Sequence, residues 1–288
     1  MITILLGLLA IFALVFCAVL IKDVFGRKSE WEDKPTITAA LIGLVTDFFD
    51  TLGIGSFAPS AALFKATKQV PDQVIPGTLN VAHAIPVVLQ SFLFITSVEV
   101  EPVTLVSMLV AATVGAWFGA GFMSKLPEIK VQLVMGVALA VTAVIMIASN
   151  TGLIQGSGDA LGLTGVKLIV AIVGNFALGA LMTAGVGLYA PCMALVFFLG
   201  MSPAVAFPIM MGSCAFLMQV AGVRFVKEGR YAIKTAFTIN IAGCIGVLVA
   251  FYLVTSLPID MLKWLVVGVV IYTSVIMLRA VQQKSKAA

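Results

Sequence analysis

The chain has 288 residues, of which 61% are hydrophobic and only 10% are charged. Soluble domains are about 45–50% apolar and about 25% charged, so this composition excludes a soluble enzyme with a water-facing surface. It also excludes a disordered chain, a collagen and a disulfide-rich secreted module. The apolar stretches are continuous rather than alternating, which favours membrane-spanning helices. The sequence therefore predicts an all-α polytopic membrane protein.

Residues 1–35 contain an extra hydrophobic segment, residues 2–21, ahead of the rest of the chain. This segment has no basic residue before it and a basic cluster after it. That order is wrong for a cleaved signal peptide and typical of a membrane helix whose N-terminus lies outside. We therefore expect one extra N-terminal helix followed by a cytoplasmic loop.

An internal repeat organises most of the remaining chain. Residues 53–63 align with residues 185–195, and six of these eleven positions are identical. The offset is 185 − 53 = 132, and it pairs further turn-forming residues: Pro71 with Pro203, Pro76 with Pro208 and Gly136 with Gly268. The repeat divides the chain into four parts: repeat 1 (36–154), a linker (155–165), repeat 2 (166–280) and a cytoplasmic tail (281–288).

The first segment of each copy, residues 36–66 and 166–200, is too long for one membrane crossing and too short for two. It is either a long kinked helix that crosses or a re-entrant hairpin that turns at the glycines. Hairpins leave 15 of the 17 basic residues on one side and only Lys167 and Lys263 on the other, whereas crossing segments divide them 12 to 5. Because basic residues collect on the cytoplasmic side, the count favours hairpins.

A hairpin plus three membrane helices per copy gives an odd number of crossings, so the two copies must lie in opposite orientations. This is the inverted-repeat plan of secondary transporters. We expect the N-terminus outside, the C-terminus in the cytoplasm, and the whole chain in the plasma (inner) membrane.

Two copies of a Gly-x-Gly…Pro segment, each leading a four-segment apolar unit, resemble the TauE/SafE family, often called sulfite exporters. In the second copy, residues 229–233 (Gly-Arg-Tyr-Ala-Ile) and the Leu257-Pro258 pair are also similar to that family. The resemblance implies transport of sulfite, sulfonates or organosulfonates. The sequence departs from the glycine-richest form of the motif, with Ser56-Phe57 and Leu188-Tyr189 where family members often have glycines.

The hairpin tips are the first candidate binding site. A proline in the first turn after each glycine pair predicts a new half-helix whose N-terminus favours an anion. The alternative is that the glycines only allow close helix packing. Phe57 and Tyr189 are either gates or packing aromatics. The candidate substrate-binding residues are Gly53, Gly55, Ser56, Phe57, Ser60, Gly185, Gly187, Tyr189 and Cys192.

Three ionisable residues, Asp47, Asp50 and His83, lie deep in apolar segments, with Asn80 one turn before the histidine. Ionisable side chains at such depth are candidates for function, and carboxylates beside an anion site suggest coupling to H⁺ or Na⁺. The alternative is a structural Asp–His bond that holds the broken helix together. Arg224 is either an interfacial anchor or a guide for anions. We expect four amides within apolar segments to make interhelical hydrogen bonds, with lining of the transport pathway as the alternative: Gln90, Asn175, Gln219 and Asn240.

The sequence contains no phosphate-binding loop, haem motif, metal-ligand cluster or nucleophile elbow, so we expect no metal, no cofactor and no enzyme. The leading prediction is a cation-coupled secondary transporter that binds a small anion between two half-helix N-termini at the midplane. The alternatives are an anion channel of the same fold and a membrane-embedded enzyme or assembly subunit. The expected partners are the small anion, the lipid bilayer, and H⁺ or Na⁺, with no nucleic acid; a homo-oligomer stays open.

Overall fold

A computed structural model describes residues 1–122, 128–151, 158–182, 188–256 and 258–287. Twelve α-helices and no β-strand occur in these ranges. The helices are α1 (Ile2–Gly26), α2 (Thr36–Thr51), α3 (Phe57–Thr67), α4 (Ile75–Ala82), α5 (Ala84–Ser97), α6 (Pro102–Phe122), α7 (Glu128–Asn150), α8 (Gly165–Met182), α9 (Tyr189–Phe198), α10 (Ala206–Lys227), α11 (Ile233–Thr255) and α12 (Ile259–Ala287).

Six helical stretches within the described ranges are long and apolar enough to cross a membrane, as expected for a multi-pass, all-α membrane protein. They include α1, α10, α11 and most of α12, together with Asp72–Ser97 and the whole of α8. By length alone α8 is therefore able to cross, although the sequence predicts it as the first arm of a hairpin. Helices α3 and α9 have only 11 and 10 residues, well short of the roughly 20 that a crossing needs.

The chain forms two compact units. Unit 1 comprises Met1–Phe94 and Cys214–Thr255, and unit 2 comprises Ile95–Ser213 and Ser256–Ala288. Each unit therefore takes a short helix pair from one predicted repeat and a long helix from the other. Unit 1 contains α2, α3 and α11, whereas unit 2 contains α8, α9 and α6.

Unit 1 is organised around the pairing of α2 with α11. The two backbones approach closely because glycines lie at the crossing: an added Cβ on Gly246 would overlap the carbonyl oxygen of Leu44, and one on Gly43 would crowd Ile239. Small residues at such crossings are the usual means of packing helices in lipid, where the hydrophobic effect does not drive association. The same pairing brings α11 against α4.

Unit 2 is organised around the pairing of α6 with α8, and α7 packs along α12. Glycines again make the close approach. An added Cβ on Gly115 would overlap the carbonyl oxygen of Phe176, and one on Gly179 would overlap that of Ala112. Asn175 stabilises the packing by donating to the backbone oxygen of Met108 at 2.7 Å.

A glutamate caps the N-terminus of the long helix in each unit, but the two glutamates come from different places. In unit 2, Glu101 precedes α6 directly and accepts from the backbone N–H groups of Val103 and Thr104 at 2.9 and 2.7 Å. In unit 1, Glu32 follows α1 and accepts from the N–H groups of Lys234 and Thr235 at 3.0 and 3.2 Å. The extra N-terminal segment therefore supplies a cap that α11 lacks locally.

The loop before α11 is also tied to α1. The hydroxyl of Tyr231 donates to the Asp23 carboxylate at 2.6 Å. Burial, followed by this hydrogen bond, raises the pKa of Tyr231, so the phenol stays a neutral donor. This bond and the Glu32 cap fix the N-terminal segment to unit 1.

The helical stretch Asp72–Ser97 is interrupted at His83, between α4 and α5, because Pro86 has no N–H to continue the helix. The Asn240 amide satisfies the freed backbone groups: it accepts from Ile85 N–H at 3.0 Å and donates to Val81 C=O at 2.8 Å. At the other end of the chain, α12 continues to Ala287, so the predicted tail (281–288) is helical over its described residues.

Candidate functional site

The candidate site lies in unit 1, where three structural elements bring polar side chains together. Asp47 lies in the C-terminal half of α2, Ser60 in the first turns of α3, and His83 at the break between α4 and α5. All three side chains are at most 1% exposed. Helix α4 ends at His83, and the imidazole ring at this break contacts both Asp47 and Ser60.

The three side chains form one hydrogen-bonded chain. His83 Nδ1 lies 2.8 Å from Asp47 Oδ1, and His83 Nε2 lies 3.0 Å from Ser60 Oγ. The second carboxylate oxygen, Asp47 Oδ2, is buried and has no hydrogen-bond partner among the described residues. It lies against Gly243 of α11, where any side chain would displace it.

The direction of the Ser60 hydrogen bond depends on the protonation of His83. With a neutral ring, Nδ1–H donates to Asp47 and the bare Nε2 accepts from the Ser60 hydroxyl. With a doubly protonated ring, Nε2–H donates to Ser60 Oγ, and the hydroxyl hydrogen is released for another acceptor. Protonation of His83 therefore frees the Ser60 hydroxyl hydrogen, which can then be donated to an acceptor other than the histidine.

Asp50 forms a second polar group at the tip. Gln90 of α5 donates to Asp50 Oδ2 at 2.9 Å and to Thr51 Oγ1 at 3.0 Å. Through Gln90, Asp50 and Thr51 tie the C-terminal end of α2 to α5.

The two tip glycines have conformations that favour glycine. Gly53 and Gly55 have φ angles of 95° and 89°, a region that residues with a Cβ rarely adopt. Within the described residues, and apart from its two chain neighbours, nothing lies within 4 Å of the Cβ position of Gly55. The requirement for glycine there comes from the backbone angle and not from crowding.

In unit 2, the predicted tip residues are only partly described. Tyr189 begins α9, and both Tyr189 and Cys192 are buried. The Cys192 thiol occupies the position that matches Ser60, since 192 − 60 = 132. Gly185 and Gly187 lie outside the described residues.

Three other predicted residues make no hydrogen bond to the Asp47–His83–Ser60 chain within the described residues. Asn80 donates to the Pro76 carbonyl at 3.0 Å within its own helix. Arg224 is exposed and pairs with Glu228 one turn on at 2.8 Å. The Phe57 ring lies beside the His83 ring, with a centroid separation of 6.3 Å, and packs against it.

Sequence reasoning grouped Asp47 with His83 but missed how Ser60 joins them. Ser60 was placed at the anion site and His83 at the coupling site, whereas the structure makes them neighbours. The role of Gly243 was also missed, because a glycine in an apolar helix carries no signal of what it faces. The predicted interhelical bonding of Gln90, Asn175, Gln219 and Asn240 is confirmed.

Metal binding finds no support within the described part of the chain, where no three His, Cys, Asp or Glu residues are grouped as ligands. Comparison with known proteins provides no relative. No protein-family model, no curated protein and no solved structure matches the chain. A function must therefore be inferred from the chain's own residues, and the resemblance to the TauE/SafE family stays a prediction.

Proposed function

We propose that this protein is a proton-coupled secondary transporter of small sulfur-containing anions, of the sulfite or sulfonate type. The observation that carries the proposal is the buried Asp47–His83–Ser60 chain. Ionisable groups buried at this depth in a membrane protein are typical of proton relays. The substrate class comes from the resemblance to sulfite exporters.

The coupling follows from the two directions of the Ser60 hydrogen bond. A proton on His83 adds positive charge and releases the Ser60 hydroxyl, which then donates to an anion near the start of α3. The helix N-terminus adds a favourable dipole there. Loss of the proton returns the hydroxyl to His83 and weakens anion binding. Proton and anion therefore bind together, which is the requirement for proton–anion symport.

The inverted-repeat architecture forms part of the proposal, and the pattern of helix contacts supports it. Helices α3 and α9 begin 132 residues apart, because 189 − 57 = 132. Leu44, which faces Gly246 in unit 1, matches Phe176, which faces Gly115 in unit 2, at the same offset of 132. Each copy thus contributes equivalent residues to the same kind of helix crossing.

Purified protein in proteoliposomes tests the proposal. We expect a pH gradient to drive sulfite accumulation, and Asp47→Asn or His83→Gln to abolish its pH dependence. Ser60→Ala should weaken anion binding roughly ten- to a hundredfold, because one charge-assisted hydrogen bond contributes about 1.5–3 kcal/mol. Tracer uptake measured across a pH series, with sulfate and carboxylates as competitors, provides both readouts.

Ser91→Ala is the matched control. Ser91 is also buried, but its hydroxyl donates only to Val87 C=O of its own helix at 2.9 Å. This variant should transport like the parent. If Ser60→Ala and His83→Gln kept both the parental rate and its pH dependence, the hydrogen-bonded chain would be structural and the proposal wrong. Uptake without saturation or counterflow would favour the channel alternative.

Hydrolysis is a second candidate, because Ser, His and Asp in this order form the catalytic set of serine hydrolases. The position of the serine weighs against it. Ser60 N–H donates to Ser56 C=O at 3.0 Å, which places the serine inside a helix and not on a strained turn between two elements. Covalent labelling of Ser60 by a fluorophosphonate would support hydrolysis, and no labelling would exclude it.

A further inference from the structure

A basic pocket of about 390 Å³ lies at the far end of α3, away from the Asp47–His83–Ser60 chain. Its volume lies within the range of about 300–1,000 Å³ that is usual for ligand sites. Three lysines and one aspartate contribute formal charges of +3 and −1, so the lining is net positive. The lining residues are Lys34, Phe64, Lys65, Lys68, Val70, Pro71 and Asp72.

The pocket combines a charged rim with an apolar floor. Lys65 and Lys68 are exposed and Lys34 is half-buried, whereas Phe64 and Val70 are buried. No hydrogen bond or ion pair engages the three lysine ammonium groups within the described residues. Their charges are therefore available to a ligand.

Lys68 is held in a conformation that lysine rarely adopts. It ends α3 with φ 53°, in the left-handed region that favours glycine. The matching position in unit 2 is Gly200, with φ 89°. A glycine would fit the Lys68 turn with less strain, so the conformation of the turn does not explain a lysine at this position.

The equivalent place in unit 2 lacks the charges. Positions 132 residues further on are uncharged: Val166 for Lys34, Phe197 for Lys65, Gly200 for Lys68 and Ala204 for Asp72. The neighbouring Lys167 already donates to the Leu199 carbonyl at 3.1 Å. Helix α9 thus ends without such lysines, so the three lysines near the end of α3 are not needed to end a short helix of this kind.

We infer that this pocket binds the phosphate headgroup of an acidic phospholipid. The lysines would pair with the phosphate, and the apolar floor would contact the glycerol and the first acyl carbons. Residues 22–35 and 65–73 are both predicted to face the cytoplasm, where acidic lipids are concentrated and where basic pockets between membrane helices bind lipid headgroups. A free inorganic anion would leave most of the volume and the apolar floor unused.

Nanodiscs of phosphatidylcholine with and without phosphatidylglycerol test the inference. Native mass spectrometry of the released protein counts the phosphatidylglycerol that it retains. We expect the Lys34→Gln/Lys65→Gln/Lys68→Asn variant to bind phosphatidylglycerol about a hundredfold more weakly, because each lysine contributes roughly fivefold. Asparagine is chosen at position 68 because it tolerates a positive φ. Lys34→Arg/Lys65→Arg should retain the lipid.

The control variant Lys22→Gln/Lys227→Gln/Arg230→Gln removes three exposed charges of unit 1 that lie outside the pocket. It should retain the lipid like the parent, and thermal unfolding should show that both triple variants are folded. Equal losses in the two variants would mean general charge attraction and overturn the inference. Parental lipid retention in the pocket variant would overturn it as well. Displacement of the lipid by millimolar inorganic phosphate would identify a small-anion site instead.

Discussion

Each unit contains a helix pairing with glycines at the close approach, α2 with α11 in unit 1 and α6 with α8 in unit 2, but the two pairings differ in what lies between the helices. In unit 1 the Asp47 carboxylate occupies the crossing of α2 and α11, and Gly243 leaves room for it. In unit 2 the matching position is Gly179, whose Cα approaches the Ala112 backbone of α6 directly. A glycine on one helix thus allows a buried acid in unit 1, whereas in unit 2 it allows the backbones to touch.

The other polar residues of the site are not matched in the second copy of the predicted repeat. The residues 132 positions further on carry no charge and no imidazole: Met182 for Asp50 and Cys192 for Ser60 in unit 2, and Ala215 for His83 and Gly222 for Gln90 in α10 of unit 1. Unit 2 therefore packs α6 against α8 without a counterpart of Asp47, Asp50 or Ser60. The polar cluster of unit 1 is not a requirement of this kind of helix pairing, and this is the strongest structural reason to assign it a function.

Removal of one partner of the buried Asp47–His83 pair should have the largest effect on stability. Asp47→Ala or His83→Ala each leaves a buried polar group without its partner, which costs about 3–5 kcal/mol of unfolding free energy. The double variant removes both partners and leaves neither one unpaired, so it should be less destabilised than the sum of the singles by about 0.5–3 kcal/mol. Chemical unfolding in detergent micelles measures all three.

Asp47→Ala combined with Ser91→Ala is the reference cycle, because these two side chains share no hydrogen bond. Its effects should add within about 0.5 kcal/mol. If the Asp47–His83 cycle were equally additive, the 2.8 Å contact would contribute nothing to stability, and the contrast between the units would lose its energetic basis.

Substitution of the crossing glycines should affect both units alike. Gly115→Ala and Gly246→Ala each place a Cβ against a backbone carbonyl oxygen of the partner helix, so the helices must separate. We expect each to lower the unfolding free energy by about 1–3 kcal/mol, the usual range for overpacking. Gly268→Ala is the control, because nothing lies within 4 Å of its Cβ position, and alanine there should stabilise by up to about 1 kcal/mol. A large effect in only one unit would contradict the shared crossing.

Substitution of the two capping glutamates should have the smallest effect on stability, and it compares a cap from the adjacent sequence in unit 2 with a cap from a distant segment in unit 1. Glu101→Gln and Glu32→Gln should each cost about 1 kcal/mol, because each weakens hydrogen bonds to two N–H groups at a helix N-terminus. Thermal unfolding should show a loss of similar size for the local cap of α6 and the distant cap of α11. If Glu32→Gln left the unfolding temperature unchanged, the segment after α1 would not be needed to cap the N-terminus of α11.

The stability of the protein should depend on pH in part through the Glu101 carboxylate. Burial raises the pKa of Glu101, but the hydrogen bonds from Val103 and Thr104 outweigh it and lower the pKa below its ordinary value of 4.5. The cap is therefore fully present above the ordinary pKa, and its contribution is lost as the pH falls through the lowered folded-state pKa. Glu101→Gln should remove this part of the acid sensitivity, so parent and variant should converge in stability at low pH.

The membrane class and the positions of the chain breaks were predictable from the sequence. Composition excludes a soluble fold, and the prolines and glycines that recur at an offset of 132 coincide with the starts of α3 and α9. These features depend on local chemistry, since glycine and proline act on their own backbone and charged residues avoid lipid. Ionisable residues at depth are visible in the sequence for the same reason, and Asp47 and His83 were identified in this way.

Only the tertiary structure decided which side chains meet. Ser60 and His83 are 23 residues apart, His83 and Asp47 are 36 apart, and Glu32 caps a helix 202 residues away. A helix in a soluble protein shows by its apolar stripe which face lies inward, whereas a membrane helix that is apolar all round carries no such signal. The rotation of α2 sets the contacts of Asp47, and it depends on the packing of α11, which leaves room for the carboxylate at Gly243. Asn240 of α11 also satisfies the backbone groups that the break at His83 leaves free, more than 150 positions earlier in the chain.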